Sequence, residues 1–326
     1  MGRPVIFSTH SLHPAVTATL QGLGTYRCAS APTPDAILAE SAGAAMIVVR
    51  APIPPALIRR ETGLRALLRH GAGLDMIPVE VATEAGVLVT NVPGANALTV
   101  AEHVIWTSMA LLRRFPQVNH DLRRDGWAAG RVHSDHGQEL SGRSIGILGM
   151  GNIGREIARI AAAGFGMRVL CHTRSAASVP AGVTHLPLDT LLAEADILVL
   201  CAPLTDQTRG LIDAAALARM KRGAFLINVS RGPVVDEAAL IAALRSGHLA
   251  GAALDVFDTQ PLPPDHALLA LPNVLITPHM AGLTEESMLR MGQAVAEDAA
   301  RILAGQLPLR LINPEAVDLY RSRFPA

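Results

Sequence analysis

Gly149, Gly151 and Gly154 stand in the stretch GILGMGNIGREIARI, where an apolar run gives way to a helical pattern. In such a turn the first glycine permits the tight bend. The second lets the backbone approach a pyrophosphate, and the third lets the helix pack on the sheet. A helix N-terminus adds unpaired N–H groups and positive potential. Gly149 to Gly154, with Asn152 and Ile153 between the second and third glycines, is therefore a candidate dinucleotide cradle. The next strand-like run, RVLCHTRS, ends where a site for NAD carries an acid on the ribose hydroxyls. Thr173 occupies that place, followed by Arg174 and Ser175. A guanidinium can grip a phosphate bidentately and hydroxyls can donate to it, so these residues favour a 2′-phosphate and hence NADP, with NAD possible.

A second set of reactive side chains follows. LINVSRGPVVDEAAL puts Arg231 just after an apolar strand, GAALDVFDTQPLP puts Asp255 and Gln260 after the next, and NVLITPHMAG puts His279 after the last. Strand ends of an open α/β sheet face the ligand crevice. Hydride transfer to a keto acid needs a cation to bind and polarise the substrate and an acid to deliver a proton. Arg231 and His279 supply those types, and Gln260 offers an amide to the same crevice.

These residues need a scaffold, and the pattern supplies one. Residues 4–9, 44–49, 64–70 and 86–92 read as strands or strand–turn units, alternating with helices. A long helical pattern spans 96–126 and is interrupted near Pro116. From Ser144 onward six strand-like runs recur, the rhythm of a complete dinucleotide-binding sheet. The helix after Thr284 has no strand left to pair with there and is expected to return to the first domain. The reading is an α/β protein of two doubly wound parallel-sheet domains. A flavodoxin-like substrate domain spans 1–98 and 285–326, and a Rossmann dinucleotide-binding domain spans 99–284. Two hinge crossings join them.

Composition narrows the class. Half of the 326 residues are hydrophobic, and 28 basic residues balance 28 acidic ones, so no nucleic-acid footprint is expected. Cys28, Cys171 and Cys201 form no C-x-x-C pair, and no run has the length and apolarity of a membrane span or signal core. A cytoplasmic location with no membrane partner follows as an expectation. The segment RVHSDH has H-x-x-H spacing without a third ligand, so no metal is expected. His103 in AEHV reads as a packed helix residue.

Beyond these residues, the whole chain resembles the D-isomer-specific 2-hydroxyacid dehydrogenase family. The resemblance rests on RHGAGLDMIPVEVATEAGVLVTNVPGANALTVAEHV, GRSIGILGMGNIGREIA, CAPLTDQTRGLID, MKRGAFLINVSRGPVVDEAAL, GAALDVF and NVLITPHMAG, in that order. It implies NAD(P)-dependent reduction of a small 2-keto acid, such as glyoxylate or hydroxypyruvate, by a homodimer. It makes Arg231 the substrate-binding arginine, His279 the catalytic acid/base, and Asp255 the residue that holds the nicotinamide carboxamide. Pro203 and Thr208 join the cofactor contacts. Ala72 and Gly73 in GAGLD would cradle the substrate carboxylate through their N–H groups, with Arg50 lining the same site. Gln260 departs from the usual glutamate and resembles the formate dehydrogenase branch. Two alternatives stay open: a dehydrogenase of a small oxyanion such as formate or phosphite, and a non-catalytic dinucleotide-sensing protein.

Overall fold

The computed structural model describes residues 2–325. The chain divides into two compact units, passing from one to the other after Asn96 and returning at Leu283.

The first unit contains a five-stranded sheet. Its strands are β1 (Val5–Ser8), β2 (Thr25–Cys28), β3 (Ala44–Val49), β4 (Ala66–Arg69) and β5 (Leu88–Thr90), in the order β2-β1-β3-β4-β5. All pairings are parallel. This is the flavodoxin-like order. β3 lies at the centre and is apolar on both faces, as a strand covered on two sides must be. β2 was not legible in the sequence: TYRC is half-exposed on the sheet edge and carries no apolar run. The helix Glu285–Leu303 does belong to this unit. Thr284 caps it, accepting from the Ser287 N–H at 3.2 Å while the Ser287 hydroxyl accepts from the Thr284 N–H at 2.9 Å. The helix packs closely on Pro14–Leu23, because a Cβ built on Gly292 would lie 2.4 Å from the Val16 side chain.

The second unit holds a seven-stranded parallel sheet. Its strands are β6 (Ser144–Leu148), β7 (Arg168–His172), β8 (Thr184–His185), β9 (Ile197–Leu200), β10 (Ala224–Asn228), β11 (Leu249–Leu254) and β12 (Val274–Ile276). The order is β12-β11-β10-β9-β6-β7-β8. The six-strand rhythm therefore undercounts by one. β8 is two exposed residues pairing with Leu170 and Cys171, too short and too polar to announce itself. The order reverses between β6 and β9, and ligands of open α/β sheets bind at such a switch point. The long helical pattern is cut earlier than Pro116. The first helix ends at Leu112, Arg114 turns left-handed with φ 52°, and Phe115–Asp125 begins with Pro116 in its first turn. Proline fits there because that turn's N–H groups have no intrahelical partner.

Candidate active site

The glycine turn follows β6 directly, and each glycine has its own geometric reason. Gly149 has φ 102°, and a Cβ there would sit 2.8 Å from the Ala202 backbone. A Cβ on Gly154 would lie 2.2 Å from the Gly149 carbonyl oxygen, so the third glycine sets the approach of helix to turn. A Cβ on Gly151 would meet no protein atom within 4 Å. Gly151 is the N-cap of the helix Asn152–Phe165, and no side chain caps that terminus. The N–H groups of Asn152, Ile153 and Gly154 thus begin a helix beside open space, which suits a pyrophosphate.

A pocket of about 430 Å³ extends from this turn and is lined by Gly149, Gly151, Thr173, Arg174, Ser175 and Thr208, among others. Pro203 lines it too. Of the sequence-derived cofactor residues, Gly149, Gly151, Thr173, Arg174, Ser175, Pro203 and Thr208 therefore converge on it, whereas Asn152, Ile153, Gly154 and Asp255 are not in its lining. Arg174 is exposed and no carboxylate lines the pocket. Thr208 shapes the rim: its hydroxyl donates to the Pro203 carbonyl at 2.7 Å and accepts from the Thr205 N–H at 2.8 Å. Cys201 also lines the pocket, with its thiol against the Gly149 carbonyl at 3.0 Å, and burial pushes that thiol up to about 12. It stays protonated and braces the glycine turn.

Arg231, Gln260 and His279 follow β10, β11 and β12, one after each. Asn228, buried at the end of β10, accepts from the Ser230 N–H and hydroxyl at 3.0 and 2.8 Å and donates to the Arg231 carbonyl at 3.0 Å. The Arg231 guanidinium donates to the Ser230 carbonyl at 2.7 Å. The following residue fixes the loop against its neighbour, since a Cβ on Gly232 would lie 2.0 Å from the Phe257 carbonyl carbon. Only glycine lets the Arg231 loop rest on the loop that leads to Gln260.

His279 adopts a left-handed backbone with φ 54°, uncommon for a residue with a Cβ. Asp255 holds it there. One carboxylate oxygen of this buried aspartate accepts from the Thr277 hydroxyl at 2.6 Å and the Met280 N–H at 2.8 Å, and the other from the Ala281 N–H at 2.9 Å. The His279 N–H donates to the Asp255 carbonyl at 2.9 Å. Asp255 is therefore the anchor of the histidine turn, a role the sequence did not reveal. The imidazole Nδ1 lies 3.1 Å from the Gln260 side-chain oxygen, and the Gln260 amide nitrogen donates to the Phe257 carbonyl at 3.3 Å. A carbonyl can only accept, so the amide NH₂ faces Phe257 and its oxygen faces His279. Nδ1 then carries the hydrogen.

His103, on the helix Ala97–Leu112, packs edge-on against Trp106 with ring centroids 5.5 Å apart. Burial lowers its proton affinity while the Asp255 carboxylate raises it.

In the first unit, the turn after β4 is braced by three donors. The carbonyls of Gly71, Ala72 and Gly73 accept from the Val92 N–H at 2.8 Å, the Asn91 amide at 2.7 Å and the Arg69 Nε at 2.8 Å. Among the described residues, the Ala72 and Gly73 N–H groups have no acceptor. Carbonyls held back and N–H groups left over make a nest for an anion. Arg69 and Asn91, unremarked in the sequence, create it. Arg50 donates to the Ser11 carbonyl, and burial lowers its pKa.

Comparison with known proteins adds an independent finding. The description "D-isomer specific 2-hydroxyacid dehydrogenase, NAD binding domain" matches residues 105–281. The chain is 40% identical over 270 residues to a glyoxylate reductase of Korarchaeum cryptofilum, covering 82% of this chain and 81% of that one. It is 40% identical over 278 residues to a glyoxylate reductase of Aeropyrum pernix, covering 82% of each. The crystal structure of an NADPH-dependent glyoxylate/hydroxypyruvate reductase from Sinorhizobium meliloti, in complex with NADP and malonate, superimposes with a TM-score of 0.84 at 30% identity. That match covers 97% of this chain and 98% of the other. The fold is thus that of a nicotinamide-dependent dehydrogenase. Within that class the chain belongs to the D-isomer-specific 2-hydroxyacid dehydrogenase family, as an NAD(P)-dependent enzyme.

Proposed function

We propose that this enzyme is an NADP-preferring reductase of small 2-keto acids, with glyoxylate and hydroxypyruvate as the first candidates. One observation carries the cofactor choice: Thr173, Arg174 and Ser175 line the nucleotide pocket, and no carboxylate does. A carboxylate there would repel a 2′-phosphate, whereas a guanidinium and two hydroxyls attract one. The substrate class is supported by the two archaeal glyoxylate reductases and the Sinorhizobium enzyme.

The bound cofactor would supply the hydride. On this reading the Ala72 and Gly73 N–H groups hold the keto-acid carboxylate, with Arg50 as a further cation. Arg231 polarises the carbonyl, favouring charge that develops on its oxygen. His279, with Nδ1–H held by Gln260, presents Nε2 to that oxygen and gives it a proton in reduction. In the reverse direction neutral Nε2 takes the proton from the hydroxy acid. Asp255 and Asn228 position these two side chains. A role for Asp255 in holding the nicotinamide carboxamide is part of the proposal, and the residue's three intrachain donors leave it lone pairs for one more.

The enzyme is further proposed to be a homodimer. Trp106, Phe115, Trp127 and Val132 are exposed along one stretch of the second unit, Trp127 to 78%. Large exposed apolar side chains are suited to association between subunits. Sedimentation of the purified chain, alone and as Trp127→Ser, tests this; a monomer at micromolar concentration rules it out.

The test of the activity is kcat/KM for a panel of 2-keto acids with NADPH and NADH, with formate and phosphite oxidation measured alongside. Glyoxylate or hydroxypyruvate with NADPH should lead. Turnover of formate or phosphite alone would replace this reading with the oxyanion alternative.

A further inference from the structure

A separate cavity of about 780 Å³ opens in the first unit, where the end of the helix Glu285–Leu303 meets the C-terminal helix Val317–Arg323. Its lining has two chemical halves. Leu303, Leu307 and Phe324 are apolar, and Arg65, Arg321 and Tyr320 carry hydrogen-bond donors; no acidic side chain lines it. We propose that this cavity is a binding site for a small organic acid: a carboxylate attached to an apolar body.

Three observations converge on that ligand. Tyr320 is only 5% exposed, yet among the described residues its hydroxyl makes no hydrogen bond and it is not sealed from solvent. A polar group in so buried a residue normally has a partner. Arg65 and Arg321 are also without a side-chain acceptor or carboxylate partner among the described residues. Nearby Arg323 contrasts with them, because it is spent on the carbonyls of Thr62, Leu64, Ala85 and Gly86. Arg65 is held in place over the Phe324 ring, 4.9 Å from its centroid, and Phe324 packs on Tyr320 with ring centroids 5.3 Å apart. Burial raises the pKa of the Tyr320 hydroxyl, and the nearby Arg65 charge offsets part of that rise. Arg65 held over the ring, the exposed Arg321 and a phenol are all donors, so they select an anion. The adjoining leucines and phenylalanine favour an anion with a hydrocarbon part over a bare inorganic one. None of these residues belongs to the cofactor pocket or to the loops bearing Arg231 and His279.

The test is calorimetric titration of the full chain with phenylacetate, its neutral isostere phenylacetamide, and inorganic phosphate. Each is repeated in Arg231→Ala, where the proposed substrate cation is gone. Phenylacetate should bind saturably in both proteins, at least about tenfold more tightly than phenylacetamide or phosphate. Tyr320→Phe and Arg321→Gln keep the packing and the exposed helix, and each should weaken phenylacetate several-fold without changing kcat/KM for the keto acid. Four results would overturn the proposal: no saturable binding, loss of binding in Arg231→Ala, binding of the amide or of phosphate as tightly as the acid, or indifference to both cavity substitutions.

Discussion

The Gln260 side-chain oxygen faces the Nδ1 of His279 at 3.1 Å, so the proposed acid/base is oriented by a neutral amide. An amide fixes the tautomer but adds no charge, whereas a carboxylate would stabilise the imidazolium. Gln260→Glu should therefore move the high-pH decline of keto-acid reduction upward by roughly one unit. His279→Ala should lower the rate by about 10²–10⁴-fold. The pH dependence of kcat/KM for the three proteins decides this, and superimposable profiles for the natural enzyme and Gln260→Glu would show the two side chains to be uncoupled.

Arg231→Ala should lower kcat and raise KM for the keto acid while leaving cofactor affinity nearly unchanged. Arg231→Lys should rescue only in part, because an ammonium lacks the planar fork. Steady-state kinetics and direct cofactor titration separate these. Loss of NADPH binding with intact keto-acid recognition would refute the assignment.

Cofactor preference should reverse in the double variant Thr173→Asp with Arg174→Pro. Charged contacts to a 2′-phosphate account for roughly 2–4 kcal/mol, or about 30- to 1000-fold in relative kcat/KM. Equal or better use of NADH by the natural enzyme would remove the basis for this.

Asp255→Asn tests whether the aspartate acts on the histidine turn or on the cofactor. An asparagine cannot accept all three of the bonds from Thr277, Met280 and Ala281. One buried donor is then left facing another, at a cost of about 1–3 kcal/mol in stability. If the turn is the main role, kcat should fall with KM for NADPH little changed. A selective rise in KM for NADPH would make the carboxamide role dominant.

His70 predicts an acid-sensitive stability. It is 3% exposed, its Nε2 lies 3.3 Å from the Met288 carbonyl, and its Nδ1 has no hydrogen-bond partner among the described residues. Burial first, then the charges of Arg50 and Arg69, lower its pKa to about 4. The unfolded chain binds this proton near the ordinary 6.5 and the folded chain does not, so stability is full above that pH and falls between about 6.5 and 4. The loss from pH 7 to pH 5 attributable to His70 is about 2 kcal/mol. Urea unfolding at the two pH values, compared between the natural chain and His70→Gln, measures it; an equal pH dependence in both would show that His70 is not responsible.

Sequence alone determined the parts of this protein that local chemistry encodes. Apolar runs and glycine spacing marked most of the two sheets and the nucleotide turn, because a buried parallel strand and a pyrophosphate cradle each demand residue types at fixed spacing. Arg231, Gln260 and His279 were legible for the same reason: each follows its own apolar strand. Short or polar elements such as β2 and β8 were not, since an exposed edge imposes no pattern. Tertiary structure alone decided which groups restrain which. Asn228 behind Arg231, Asp255 beneath His279, Gly232 against Phe257, and Arg69 with Asn91 behind the Ala72 turn are contacts between segments distant in sequence or across tight turns. A residue type shows that a side chain can donate or accept a hydrogen bond; only the folded chain, bringing strand ends side by side, fixes the partner that receives it.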